Sequence, residues 1–174
     1  PAGRVWRRDE LERVSDICRR HHVRVIADEI HCELVMPGYE YTPFASLSDE
    51  TSAITVTLNS PSKSFNTAGL MQSNVICSDI EMRRRVDRVI NIFGVCEVNP
   101  FGPDALVAAY NESEEWLDEL NRYLYDNYLE LKRFFAEYMP KIEVLKLEGT
   151  YLVWVDISAL EFTSDELEAK LRDE

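Results

Sequence analysis

Hydrophobic positions at the start of the chain first recur at helical spacing and then gather into short continuous runs. Asp9, followed by Glu12, is typical of a helix N-cap with its capping-box partner, so a helix is predicted from Asp9 to about His21. Continuous apolar runs, the pattern of strands buried on both faces of a parallel sheet, follow at 23–28, 53–58 and 74–77. A second helix is predicted over 81–93. Helices alternating with buried strands indicate an α/β sheet.

The pattern changes after Pro103. A short helix is predicted over 104–110 and a long amphipathic helix over 113–139, where Pro140 ends it. The apolar stripe of the long helix consists of Trp116, Leu117, Leu120, Leu124, Tyr128, Leu131 and Phe135. Two strands of a different sheet are predicted at 142–147 and 150–156. A capping box from Thr163 to Glu166 begins a last helix.

Composition narrows the class of protein. The 174 residues are 45% hydrophobic and 29% charged, which is enough for a folded core, and the net charge is −13. An acidic surface argues against binding to nucleic acid or to anionic membranes, since both need clustered Lys and Arg. No apolar run approaches the roughly 20 residues of a membrane helix, and no signal peptide is apparent. The four cysteines lack zinc-site spacing, so no metal site is predicted, and reduced thiols in a cytoplasmic protein are expected.

One candidate for chemistry is Lys63, which lies between two serines shortly after a predicted strand. In a site of low dielectric constant a lysine loses its proton more readily, and the neutral amine can attack an aldehyde cofactor. Short hydroxyls such as those of Ser60 and Ser62, with free backbone amides, suit a phosphate group. Taken alone, such a lysine is more often a solvated loop residue.

A second candidate, Asp28, ends the apolar run at 23–28. Burying an acid there is costly without a cationic partner, and a protonated pyridine nitrogen is such a partner. Taken alone, Asp28 is more often a capping or loop residue. Because ligands of α/β sheets bind at the carboxyl ends of strands, Asp28 and Lys63 are expected to share one site.

These segments, taken together, resemble fold-type-I pyridoxal-phosphate enzymes of the class I and II aminotransferase superfamily. The resemblance is strongest to the cystathionine β-lyase-like branch of bacterial C–S lyases. It rests on ADEIHCEL (27–34), TPFASLS (42–48), SPSKSFNTAGL (60–70), NPFGPDAL (99–106) and GTYLVWVD (149–156), which match in order and spacing.

The resemblance implies an α/β fold: part of a three-layer α/β/α large domain, plus the start of a small α+β C-terminal domain. Residues 1–112 would be the C-terminal half of the cofactor-binding domain, 113–139 an interdomain helix and 140–174 part of the small domain. Because the chain starts at Pro1 and ends within a helical pattern, both ends are expected to be truncated. The isolated piece is then expected to be inactive and either poorly soluble or loosely packed, since edges and apolar faces would be bare.

The resemblance also implies roles for single residues. Lys63 would form the Schiff base with pyridoxal 5′-phosphate and later move protons, and Asp28 would pair with the pyridine nitrogen. Ser60 and Ser62 would help to bind the phosphate. His31 would lie near the ring, where a packing role is as reasonable as a cofactor-binding one.

Three departures from the family pattern bear on the function. Met71 stands where aminotransferases commonly have a phosphate-binding arginine, which favours the lyase-like branch and leaves the charge partner of the phosphate unidentified. The family's cofactor-binding asparagine would precede Pro1. The arginine that binds the substrate carboxylate would follow Glu174.

The function implied is β-elimination on an amino-acid substrate such as cystathionine, giving a thiol, pyruvate and ammonia. An aminotransferase would share the early steps. A third alternative is a regulator or binding module that keeps the fold without turnover. The complete protein is expected to be a homodimer, as members of this family are.

Overall fold

The computed structural model describes residues 2–173, which form helices α1–α6 and strands β1–β5. The helices are α1 (Arg8–Arg20), α2 (Asp49–Ala53), α3 (Ile80–Ile92), α4 (Gly102–Glu112), α5 (Glu114–Tyr138) and α6 (Ser164–Asp173). The strands are β1 (Val25–Asp28), β2 (Thr55–Asn59), β3 (Asn74–Cys77), β4 (Glu143–Val144) and β5 (Val155–Asp156). None of the helices in the described part is both long and apolar enough to span a bilayer.

The predicted α/β sheet is present, in the order β1-β2-β3. β1 and β2 are parallel, with Val25 opposite Thr55 and Asp28 opposite Leu58. β3 runs antiparallel to β2, so the expectation of parallel strands is wrong for it. A parallel return needs a crossover of about a dozen residues or more, usually a helix. The segment between β2 and β3 contains only turns and the short 3₁₀ helix Ala68–Leu70.

Burial differs between the central and the outer strands. Thr55, Val56 and Thr57 of the central strand are all buried, which confirms the prediction of a strand covered on both faces. The same prediction is wrong for the outer strands, because Ile26 of β1 is 72% exposed and Ile76 of β3 is 57% exposed. Each outer strand has a neighbour on one side only among the described residues.

The long helix occurs where the apolar stripe predicts it. Its residue Tyr128 packs in a buried cluster with Met36, Val144 and Leu147, and partly buried neighbours in the cluster include Leu124, Leu131 and Phe135. Trp116, at the start of the stripe, is instead half exposed and stacks on Phe65 at 5.8 Å. The division into a large domain, an interdomain helix and a small domain stays a prediction.

The second sheet is shorter than predicted. β4 and β5 pair antiparallel over two residues each, with Glu143 opposite Asp156. The segment between them turns away, because Thr150 N–H donates to the Leu34 carbonyl at 2.7 Å and Met36 N–H donates to the Glu148 carbonyl at 3.0 Å. Thr150 also has a left-handed φ of 65°. These bonds bring residues 148–150 against the chain that follows β1.

The two predicted capping boxes have different outcomes. At α6 the prediction is confirmed, since Thr163 N–H donates to Glu166 and Glu166 N–H donates to the Thr163 hydroxyl. At α1 it is wrong: the N-cap is Arg7, two residues before the predicted Asp9, and the helix begins at Arg8. There Glu10 rather than Glu12 reaches back, accepting from Arg7 N–H at 3.0 Å and pairing with Arg4 at 2.9 Å. Two arginines on one carboxylate account for the shift of the boundary.

Candidate active site

The carboxyl ends of β1 and β2 lie level at one edge of the sheet. Glu29 N–H, immediately after β1, donates to the Leu58 carbonyl at 2.8 Å. Beyond this point each strand leads into a turn. The first is closed by Cys32 N–H donating to the Glu29 carbonyl, and the second by Phe65 N–H donating to the Pro61 carbonyl. Lys63 lies on the second turn, so the expected meeting of the two strand ends occurs at this edge.

Side chains link the two turns directly. The Ser64 hydroxyl donates to Glu33 Oε2 at 2.6 Å, and Asn59 Nδ2 lies 3.2 Å from Cys32 Sγ. The Tyr110 hydroxyl of α4 lies 2.9 Å from both Glu33 Oε1 and Asn59 Oδ1. Sequence reasoning missed this network. Glu33 could have been suspected as an acid inside a largely buried segment, but nothing local points to Tyr110.

Lys63 is exposed, next to a Ser64 side chain that is 0% exposed. Among residues 2–173 no carboxylate lies within 4.0 Å of its amine. Its charge acts on His31: burial lowers the pKa of His31 first, and Lys63 lowers it further, whereas Asp28 raises it. Lys63 and Asp28 are therefore both within electrostatic reach of one imidazole.

His31 lies in the turn after β1, against Tyr151, with the ring centroids 5.4 Å apart and nearly perpendicular. Its Nδ1 is buried and has no hydrogen-bond partner among the described residues. Because its pKa is lowered from 6.5, the imidazole is neutral at neutral pH. A buried ring nitrogen without a partner can accept or donate one further hydrogen bond.

Asp28 is exposed at the end of β1, and its Oδ1 accepts from Ile30 N–H at 3.3 Å. No Lys or Arg of the described chain lies within 4.0 Å of its carboxylate. It lines a cleft of about 380 Å³ together with His31, and the cleft also includes Trp6, Tyr41 and Thr150. Lys63, Ser60 and Ser62 do not line this cleft, which lies along β1 rather than under the lysine turn.

The two serines of the lysine turn differ in their surroundings. Ser60 is buried, and its hydroxyl donates to the Gln72 carbonyl at 2.6 Å. The Ser62 hydroxyl lies 2.6 Å from Ser60 Oγ, and Ser62 N–H donates to the same oxygen at 3.1 Å. Because the hydrogen of Ser60 is engaged with Gln72, Ser62 is the donor in the contact with Ser60 Oγ. The Ser62 hydroxyl must therefore turn away from Ser60 before it can donate to another group.

Met71, the departure noted in the sequence, has a left-handed φ of 52° and a side chain that is 83% exposed. A thioether carries no charge, so this position offers no cation for an anionic ligand.

Burial raises the pKa of the Tyr41 hydroxyl, as does the neighbouring Glu29. The pKa of the Cys32 thiol is likewise raised, first by burial and then by the charge of Glu33. Neither group therefore ionises at neutral pH. Nearby, Phe44 N–H donates to Glu29 Oε1 at 2.9 Å, which fixes the segment 42–44 against the first turn.

The fold and this strand-end site define the class of protein. The chain belongs to the aminotransferase class I and II family, whose profile matches residues 1–174. It is 39% identical over 171 residues to cystathionine beta-lyase PatB of Bacillus subtilis (strain 168), an alignment covering 98% of this chain and 44% of PatB. The resemblance to the lyase-like branch is thereby confirmed.

Two solved structures match the fold closely. A pyridoxal-phosphate-bound protein from Clostridium difficile 630, described provisionally as an aminotransferase, has a TM-score of 0.94 and 40% identity, covering 97% of this chain and 44% of its own. Cystalysin from Treponema denticola, which contains pyridoxal 5′-phosphate, has a TM-score of 0.94 and 36% identity, covering 97% and 43%. The predicted fold class is confirmed. The chain spans less than half the length of these relatives.

Proposed function

We propose that this chain supplies the cofactor-binding lysine and acid of a pyridoxal-phosphate-dependent C–S β-lyase acting on cysteine conjugates such as cystathionine. One structural observation carries the proposal. The Lys63 turn is tied by the Ser64–Glu33 bond to the turn that follows Asp28, so an amine and a carboxylate from two strand ends both act electrostatically on His31. The identity to a cystathionine beta-lyase supports the reaction type.

The donor set fits pyridoxal phosphate. Lys63 offers an exposed amine without a carboxylate partner among residues 2–173, which suits an aldehyde. Asp28 offers a carboxylate without a cation partner in the same range, which suits a ring nitrogen that carries a proton. Ser62, half-buried on the same turn, would turn its hydroxyl from Ser60 to donate to the phosphate. The unpaired Nδ1 of His31 offers one more polar contact.

When bound, the cofactor would supply an electron sink that stabilises negative charge at the substrate's α-carbon. The free amine of Lys63 would take the substrate's α-proton as a general base. Asp28, as an anion, would keep the ring nitrogen protonated. His31, neutral because its pKa is lowered, would add no positive charge beside the ring. As the Cβ–S bond breaks, its electron pair would leave with the sulfur and the pair freed at the α-carbon would form the Cα=Cβ bond. The proton held by Lys63 would then pass to the sulfur to give the thiol. Water then converts the remaining three-carbon fragment to pyruvate and ammonia.

An aminotransferase is the second candidate. The family profile and the Clostridium difficile structure favour it. The two functions differ in their products: elimination yields pyruvate from cystathionine without a keto acid, whereas amino transfer requires one. In either case we propose an amino-acid substrate, a cytoplasmic location and a homodimer for the complete protein.

The test uses the protein expressed from its complete gene. Borohydride reduction with pyridoxal phosphate, followed by peptide mapping, is expected to place a pyridoxyl group on Lys63, and L-cystathionine is expected to yield pyruvate. Lys63→Ala is expected to abolish both. Lys141→Ala, which removes an exposed lysine from the other half of the chain, is the control. Amino transfer that depends on a keto acid, without pyruvate from cystathionine, would refute the lyase assignment.

A further inference from the structure

Glu33 carries a carboxylate held entirely by neutral donors. Ser64 Oγ lies 2.6 Å from Oε2 and the Tyr110 hydroxyl lies 2.9 Å from Oε1. Within the described ranges no Lys or Arg comes within 4.0 Å of this carboxylate. We propose that Glu33 is a positioning residue for Lys63: through Ser64 it fixes the turn from which the lysine amine reaches the cofactor. The inference rests on the proposed function and deepens it.

The contact between Glu33 and Ser64 joins residues 31 positions apart in sequence. The Ser64 side chain is 0% exposed, so no water competes for its hydroxyl. A hydrogen bond to a charged acceptor is stronger than a neutral one, and a length of 2.6 Å is typical of that class. Because Ser64 follows Lys63 directly, a shift of this bond shifts the lysine backbone as well.

Glu33 is itself fixed from the other side. The Asn121 side chain of α5 donates to the Glu33 carbonyl at 2.9 Å. The Tyr110 hydroxyl of α4 lies equally close to Glu33 and to Asn59, the last residue of β2. α5 therefore holds the Glu33 backbone, and α4 holds its carboxylate through Tyr110, which also lies against Asn59. Glu33, fixed in this way, can hold the turn that carries Lys63 in one position.

Tyr110 acts as a donor in this network. Burial raises the pKa of Tyr110 and the nearby Glu33 raises it further, so the phenol keeps its proton and can donate. Glu33 then accepts at both carboxylate oxygens, from Ser64 at Oε2 and from Tyr110 at Oε1. In Glu33→Gln one of these positions becomes an NH₂ donor. Either the Ser64 or the Tyr110 contact must then reverse or open.

The step that Glu33 would affect is attack by the Lys63 amine. Attack requires the nitrogen to lie about 3–3.5 Å from the carbon it attacks, and a displacement of about 1 Å can cost a hundredfold in rate. Removing Ser64 or Glu33 is therefore expected to slow every step that uses the lysine, with little effect on KM. A merely structural role would lower the melting temperature without this selectivity.

The experiment compares Glu33→Ala, Glu33→Gln, Ser64→Ala and the double variant Glu33→Ala/Ser64→Ala in the holoenzyme expressed from its complete gene. Two quantities are measured: the rate at which the visible absorbance of lysine-bound cofactor develops when pyridoxal phosphate is added to the apoenzyme, and kcat per borohydride-trapped site. Each single variant is expected to lower both by about tenfold or more. The double variant is expected to be no slower than the slower single variant, because both changes break one contact.

Two controls have matched chemistry. Glu40→Gln neutralises an exposed acid, and Ser52→Ala removes the hydroxyl of a half-buried serine that donates to Ser78. Both are expected to leave the two rates unchanged.

Wild-type rates per trapped site in both Ser64→Ala and Glu33→Gln, even with a lowered melting temperature, would overturn the positioning role. So would losses in the double variant that multiply. If Glu33→Ala does not fold, Ser64→Ala and Glu33→Gln decide the question. Absence of a pyridoxyl group on Lys63 in the wild type would instead overturn the proposed function.

Discussion

Asp28 and Leu58 are the last register pair of the two parallel strands, and the amide that follows Asp28 donates to the Leu58 carbonyl at 2.8 Å. The strands therefore end level. The chain leaves both strands at the same edge of the sheet, toward Glu33 in one case and toward Lys63 in the other. The two turns meet where the Ser64 hydroxyl donates to Glu33, a residue 31 positions earlier in the sequence, at 2.6 Å.

Asp28→Asn is expected to lower kcat on the order of a hundredfold, the scale typical of losing one preorganised electrostatic contact. The side-chain amide of Asn is neutral, so it lacks the negative charge that would keep a proton on the pyridine nitrogen. The lysine is untouched, so borohydride trapping on Lys63 is expected to persist. The measurements are kcat and the trapped fraction of sites.

Asp126→Asn, an exposed acid on α5, is the control for this prediction and is expected to keep full activity. Unchanged kcat in Asp28→Asn would remove Asp28 from the proposed site.

The central strand, the long helix and the last capping box can be predicted from the sequence, because the pattern that indicates each of them lies in residues close together along the chain. The short second sheet does not follow. IEVLKL has strand composition, yet residues 148–150 bond to Leu34, Met36 and Gly3 instead of extending β4 and β5. Such partners are distant in sequence, and local propensity yields to them.

The residues of the candidate site likewise divide into those that the local sequence predicts and those that it does not. Lys63 and Asp28 can be found from composition at strand ends, whereas the contact between Tyr110 and Glu33 spans 77 positions and leaves no local trace. The start of α1 shows that a capping box predicted from the sequence can be wrong when another acid competes for the same role. Here Arg4 and Arg7 attract Glu10, which takes the place of Glu12.

A buried pair of hydroxyls, Ser15 on α1 and Thr51 on α2, lies 2.6 Å apart. Ser15→Ala removes one hydrogen bond and is expected to lower the free energy of unfolding by about 1 kcal/mol. Thr51→Val keeps the shape but leaves the Ser15 hydroxyl buried without this partner, at about 1–3 kcal/mol. The double variant is expected to cost less than the sum. Denaturant unfolding of the complete protein measures all three.

Ser46→Ala provides the comparison, since its hydroxyl donates to the Pro43 carbonyl in an exposed turn and its loss is expected to cost no more than about 0.5 kcal/mol. Strictly additive losses at Ser15 and Thr51 would mean that the two hydroxyls do not interact in solution.

The pKa of His31 is lowered by burial first and by Lys63 second, so the folded state binds this proton less readily than the unfolded state does. As the pH falls through the ordinary value of 6.5, unfolded chains take up the proton first, and the free energy of unfolding decreases. The loss is expected to stop once the pH is below the lowered pKa. His31→Asn is expected to flatten this part of the profile.

The measurement for His31 is the difference between wild-type and His31→Asn unfolding free energies from above pH 6.5 to well below it, because acids elsewhere titrate in both proteins alike. Parallel curves would show that His31 is as readily protonated when folded as when unfolded.

Exposed apolar side chains on the outer strands lead to a last prediction, about the 174-residue chain in isolation. Ile26 and Ile76 are 72% and 57% exposed, and further exposed apolar residues follow α3: Phe93, Val95, Val98 and Phe101. Unpaired strand edges beside apolar surface favour association. We expect the isolated chain to bind a hydrophobic dye and to elute as aggregates.

Ile26→Thr/Ile76→Thr, which keeps β-branched side chains, is expected to reduce both effects. Leu171→Gln changes a residue that is 71% exposed on α6, away from the sheet, and is expected to reduce them less. A soluble monomer with a cooperative melt and no dye binding would contradict the prediction, because it would mean that these surfaces are covered in solution.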